Sequence, residues 1–211
     1  MDCIDKELDE LPFLPLRPRD TMMIIVDPQE CFLKTMNHDD RAGLEHRLVS
    51  LCRAARKVRV PIAASLIGGH GTKAWPHWLD DDPDIHVHRR VTANPWDDKQ
   101  LREHIAKLHL PYIVLVGFWG EISLSMMALS ALREGHDVYM VLDCCPNFDK
   151  PVLANQLEYL IRNTLAPVTW RQVIFEWARH EPLILTEKLL RDMLGDNADC
   201  PELISALKAP E

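Results

Sequence analysis

The sequence has no long apolar run, no dense basic block and no paired-cysteine spacing, and each absence removes a class of function. No stretch stays apolar over the roughly 20 residues that a membrane-spanning helix needs, so no membrane partner is expected. The 24 Lys+Arg are outnumbered by 32 Asp+Glu, for a formal net charge of -8. Phosphate backbones are bound by clustered cations. The densest cluster here is the short run HVHRR at His86–Arg90, so no nucleic-acid partner is expected either. The six cysteines (Cys3, Cys31, Cys52, Cys144, Cys145 and Cys200) show no CxxC spacing and no disulfide framework. Adjacent Cys144 and Cys145 read as packed thiols rather than a redox pair. The opening MDCIDKELDE is acidic and lacks the basic start and apolar stretch of a secretory signal. These features read as a reduced, cytoplasmic protein. His70, His77, His86 and His88 form no grouping with recognisable ligand spacing, so no metal and no cofactor are expected.

What is present suits one globular domain: 211 residues, 47% hydrophobic and 27% charged. Residues 1–20 are acidic, then punctuated by Pro12, Pro15 and Pro18, and read as an extended arm on the body or on a neighbouring subunit. Residues 21–182 read as the domain proper, and residues 183–211 as a C-terminal extension with short helices over 186–195 and 201–208. Short apolar runs at 21–27, 60–66, 113–118, 138–142 and 167–170, with HVH also on a strand, alternate with helical periodicity. The helices fall over 41–58, 97–109 (Asp97 as N-cap), the segment after Ser123, 152–164 and 172–179. The segment 68–84 reads as a loop rich in Gly, Trp, His, Pro and Asp. Alternating strands and helices imply an α/β fold: a three-layer Rossmann-like sandwich, its six-stranded, mostly parallel sheet covered by helices on both faces.

Ligands in such sheets bind outside the carboxyl ends of the strands, which singles out Asp27, Gly117–Ser123 and Asp143–Pro146. Asp27 closes an apolar strand and reads as a general acid or base, or as the cap of a turn. Gln29 follows it. Arg89 and Arg90 can hold a carboxylate or an oxyanion, or belong to a solvated basic patch. Asn94 and Trp96 flank Pro95 in a fixed loop and can line a pocket. GFWGEIS brings Trp119, Gly120, Ile122 and Ser123 to a helix N-terminus, an oxyanion-type site in which Ser123 is otherwise an ordinary N-cap. Gly120 lets the backbone approach closely. Trp75, Trp78, Trp96 and Trp119 hint at an aromatic-lined pocket.

Several of these segments, in this order, resemble the isochorismatase-like superfamily of cysteine hydrolases, nearest to its YcaC-type branch. IIVDPQ resembles the family's Asp-x-Gln strand end, and NPWDD its asparagine–aromatic–aspartate loop. GFWGEISLSMMALSALREGHDVYMVLD is similar to its nucleophile segment, and APVTWRQVIFEW to its closing strand and helix. The resemblance implies an Asp–Lys–Cys site, with Asp27 as acid/base, Arg89 nearest the lysine position (Arg90 the alternative) and Ser123 in the place of the cysteine. Gly120 replaces the family's threonine, and amides near Ile122 and Ser123 would form an oxyanion hole. It implies a small-molecule substrate and a homo-oligomer, a dimer or higher. A serine hydroxyl needs a strong base that a carboxylate hardly supplies and an arginine never does. The expectation is therefore a small-molecule hydrolase that works by acid/base chemistry centred on Asp27, with Arg89 holding an anion. Its alternative is a silent member that serves as a binding or scaffold protein.

Overall fold

The computed structural model describes residues 16–68, 76, 85–118, 120–146, 150–194, 205 and 207. Six strands form one sheet: β1 (Thr21–Val26), β2 (Ile62–Ile67), β3 (Ile85–Arg90), β4 (Tyr112–Gly117), β5 (Asp137–Val141) and β6 (Ala166–Val168). Their order is β3-β2-β1-β4-β5-β6. Every neighbouring pair is parallel, so the mostly parallel sheet that the sequence implies is wholly parallel. The chain winds outward from β1 to β3, returns to the centre at β4 and winds the other way. The crevice between the carboxyl ends of β1 and β4 is thus the topological switch point.

Seven α-helices are described: α1 (Glu30–Leu33), α2 (His38–Lys57), α3 (Lys99–Leu108), α4 (Ser125–Arg133), α5 (Lys150–Arg162), α6 (Trp170–Ala178) and α7 (Glu187–Leu194). Strand parity sorts the core into two layers. Met23 and Ile25 of β1 face Leu44, Leu48 and Leu51 of α2, Val173, Ile174 and Trp177 of α6, and Met193 of α7. Met22, Ile24 and Val26 face Leu101 and Ile105 of α3, Met127 and Ala128 of α4, and Leu160 of α5. Each fully buried Leu or Ile contributes roughly 1.5–3 kcal/mol relative to exposure. β1 and β4 lie at the centre and are buried along their whole length.

Capping explains two of the element starts that differ from expectation. Asp98, not Asp97, caps α3, its side chain accepting from Gln100 N–H, because Pro95–Asp97 form a 3-10 turn that Asn94 caps. Trp170 opens α6 instead of closing β6, because Thr169 and Gln172 form a reciprocal capping box. The arm up to residue 15, almost all of the 69–84 loop, and nearly all of the second C-terminal helix lie outside the described residues. Among the described residues, no helix is long and apolar enough to cross a membrane.

Candidate active site

Three chain segments meet at the switch point. β1 ends in Asp27, whose φ of 50° turns the chain into the left-handed region that Asp tolerates better than most residues. Its backbone N–H still donates to Ser65 O at 2.8 Å, so the turn stays tied to β2. The close approach of β4 depends on Gly117, at φ 128°, where an added Cβ would sit 2.0 Å from Val26 O. Phe118 N–H then donates to that same carbonyl at 2.8 Å. A π-helical turn, Gly120–Leu124, follows before α4 begins. Such turns are rare and break the regular ladder, which lets a side chain be aimed independently of the helix. Ser123 lies within this turn, so it is not the N-cap serine the sequence allowed for.

The side chains form one closed cluster. Arg90, at the end of β3, donates through Nη1 to Asp27 Oδ1 at 2.7 Å and through Nη2 to Asp27 Oδ2 at 2.6 Å. This fork-on-fork geometry is the strongest an Arg and a carboxylate make. Nη1 also reaches Ser65 Oγ at 3.2 Å, and Nη2 reaches Ala93 O at 3.3 Å and Ser123 Oγ at 3.1 Å. Ile67 N–H donates to Asp27 Oδ1 at 2.8 Å. Asp27 and Ser123 are 0% exposed and Arg90 3%, so the cluster lies beneath the surface.

The expected site residues separate accordingly. Asp27, Arg90 and Ser123 converge. Arg89, expected nearest the cation position, is paired in register with Leu66, and strand alternation sends its side chain off the opposite face from Arg90. Parity along β3 was the available signal: Arg90 shares the side of His86 and His88, which α3 covers. Sequence reasoning also missed Ser65, which the ladder places beneath the guanidinium.

Other candidates hold the frame. The Gln29 side chain donates to Ile67 O at 2.9 Å and accepts from Ile67 N–H at 3.2 Å, mimicking a strand neighbour for the end of β2. Asn94 accepts from Trp96 N–H and donates to Ser130 Oγ at 3.1 Å. Trp96 is 5% exposed and donates through Nε1 to Glu134 Oε1 at 2.7 Å. Both side chains therefore fasten the NPW loop to α4, in place of the expected pocket lining. Gly120 O accepts from the Ser125 hydroxyl at 2.5 Å, and Ile122 is 39% exposed. Trp75, Trp78, Trp119, His70 and His77 lie outside the described residues.

Cys144 and Cys145 are free and buried, and burial pushes Cys145 up to about 12 and Cys144 well above the usual thiol range. Both stay thiols at neutral pH, as packed core cysteines do. Among the described residues, no group of three or more His, Cys, Asp or Glu side chains is arranged to hold a metal ion.

The Isochorismatase domain model matches residues 21–172, from the first residue of β1 into α6. The chain belongs to the isochorismatase family. It is 22% identical to the probable hydrolase YcaC of Escherichia coli K12 over 171 residues, 80% of this chain and 82% of that one. The crystal structure of the Escherichia coli YcaC gene product, an octameric hydrolase of unknown specificity, superposes with a TM-score of 0.79. The match has 20% identity and covers 94% of this chain and 100% of that one. YcaC from Pseudomonas aeruginosa, solved with hexane-2,5-diol and covalent acrylamide, superposes at 0.76 with 18% identity, covering 93% and 100%. The domain match shows the family, and the solved structures show the α/β fold.

Proposed function

We propose that this chain keeps the hydrolase family's pocket as a small-molecule binding site and forms no covalent intermediate in it. In this reading Ser123 stands where the family carries its cysteine and Arg90 where it carries its lysine. The observation that carries the reading is the partner of Ser123 Oγ. Among the described residues its one side-chain hydrogen bond comes from Arg90, a group that never accepts a proton at working pH. A serine nucleophile needs a base within reach. The nearest carboxylate in the cluster, Asp27, is held on both oxygens by the same guanidinium. The Asp27–Arg90 pair then acts as a fixed, neutralised charge device that shapes the floor of the site. The octameric YcaC structure supports the expectation that this chain, too, assembles into a homo-oligomer.

A second reading has one observation in its favour. Among the described residues, Asp27 Oδ2 accepts from Arg90 alone, which leaves acceptor capacity to orient a water for non-covalent hydrolysis. Turnover on a panel of small amides and isochorismate separates the two. Folded wild-type protein is expected to show none. Turnover that is lost in Asp27→Asn and kept in Ser123→Ala would establish the second reading. Turnover lost in Ser123→Ala would make the serine a nucleophile and overturn both.

A further inference from the structure

His86 and His88 leave β3 on the same face as Arg90, and His104 of α3 packs against them. The His86 and His104 ring centroids are 4.5 Å apart, and those of His88 and His104 5.3 Å. Among the described residues, Nε2 of His88 and Nε2 of His104 are buried without a hydrogen-bond partner, as is Oδ2 of Asp98, the N-cap of α3. Three imidazoles in contact tolerate one another only while most are neutral, because adjacent imidazolium ions repel and buried charge is costly. Among the described residues, the strand they hold is the edge of the sheet, bonded on one side, to β2. It is also the strand that delivers Arg90 to Asp27.

We propose that His86, His88 and His104 form a proton-operated latch that fastens edge strand β3, and with it Arg90, at neutral pH and loosens it on acidification. Among the described residues, β3 brings to this face the imidazoles themselves and Arg90, which Asp27 neutralises; from α3 come His104 and Lys107, with Asp98 at its N-cap; β2 carries no titratable side chain in this register. Burial holds His88 and His104 below the ordinary histidine range; in both cases the neighbouring imidazoles push the same way, and Lys107 does so at His104. Asp98 opposes this at His88. Acid must therefore charge a cluster that resists it until strand and helix separate.

Amide hydrogen exchange on the full-length protein at pH 7.5 and 5.5, corrected for intrinsic rates and referenced to β1, tests the latch. Exchange across β3 is expected to rise about tenfold or more relative to β1 at the lower pH, an opening shift of about 1.4 kcal/mol. The rise is expected to disappear in His86→Gln/His104→Gln. If the double variant is unstable at pH 7.5, His86→Gln alone, at an exposed position, is expected to reduce the rise. Asp98→Asn keeps the cap but removes the counter-charge that eases protonation of His88 in the closed state, so the rise in exchange at pH 5.5 is expected to be larger than in the wild type. A β3 that exchanges equally at both pH values, or a rise that survives loss of these histidines, would overturn the proposal.

Discussion

Arg90 and His88 leave the same face of the same strand two residues apart and meet opposite surroundings. Arg90 points into a set of complementary groups: a carboxylate on both forks, two hydroxyls and a carbonyl. His88 points at its own kind, with a ring nitrogen left unpaired. The first cluster is rigid, because each charge is answered within hydrogen-bond distance. The second packs ring against ring and depends on the absence of charge. One short strand thus joins a fixed element to a responsive one, and the comparison can be broken at either end.

The largest effect is expected at the fixed end. Arg90→Met strands the Asp27 carboxylate at 0% exposure, and breaking a buried pair in this way costs about 3–5 kcal/mol. Urea unfolding measures it. Adding Asp27→Asn removes the stranded charge while keeping a residue that accepts the positive φ, so the double variant is expected to be more stable than Arg90→Met alone. Equal losses in single and double variants would mean that packing, not charge, governs the cluster.

Ser123→Ala probes the same cluster more gently. Nη2 of Arg90 keeps Asp27 and Ala93 O, so the loss is expected to be about 1 kcal/mol. A much larger loss would give the hydroxyl a structural part that its single side-chain bond does not indicate.

The smallest effect belongs to the responsive end. His88 and His104 are depressed in the folded protein, so the unfolded chain binds their protons first. Their contribution to stability is complete above about pH 6.5, the unfolded value, and is lost as pH falls below it. Thermal unfolding is expected to show the wild-type Tm falling by about 2 °C or more beyond the fall in His86→Gln/His104→Gln between pH 7.5 and 5.5. Parallel curves would remove the contrast between the two ends of β3.

Much of the site could be read before folding was considered. IIVD, bounded by Pro28, announces a buried strand with a carboxylate at its end, and YIVLVG announces another that leads into the serine segment. Alternating strands and helices then put both at carboxyl ends of a parallel sheet. The choice between Arg89 and Arg90 was harder, because adjacent arginines on an edge strand look alike until it is known which face the helices cover. Trp96 looked like a pocket residue because its indole was seen without Glu134, which is far along the chain and reaches it only through α4.

The sequence by itself determined the strands, the order of the motifs, the family and the presence of a serine at the turn, because these follow from local composition and spacing. The tertiary structure alone decided which arginine meets Asp27, that the serine faces a cation rather than a base, and that three histidines from a strand and a helix touch. Those are distances between segments far apart in the chain, and they are set by strand parity, by the close approach of β1 and β4 at Gly117, and by the helices that pack on each face.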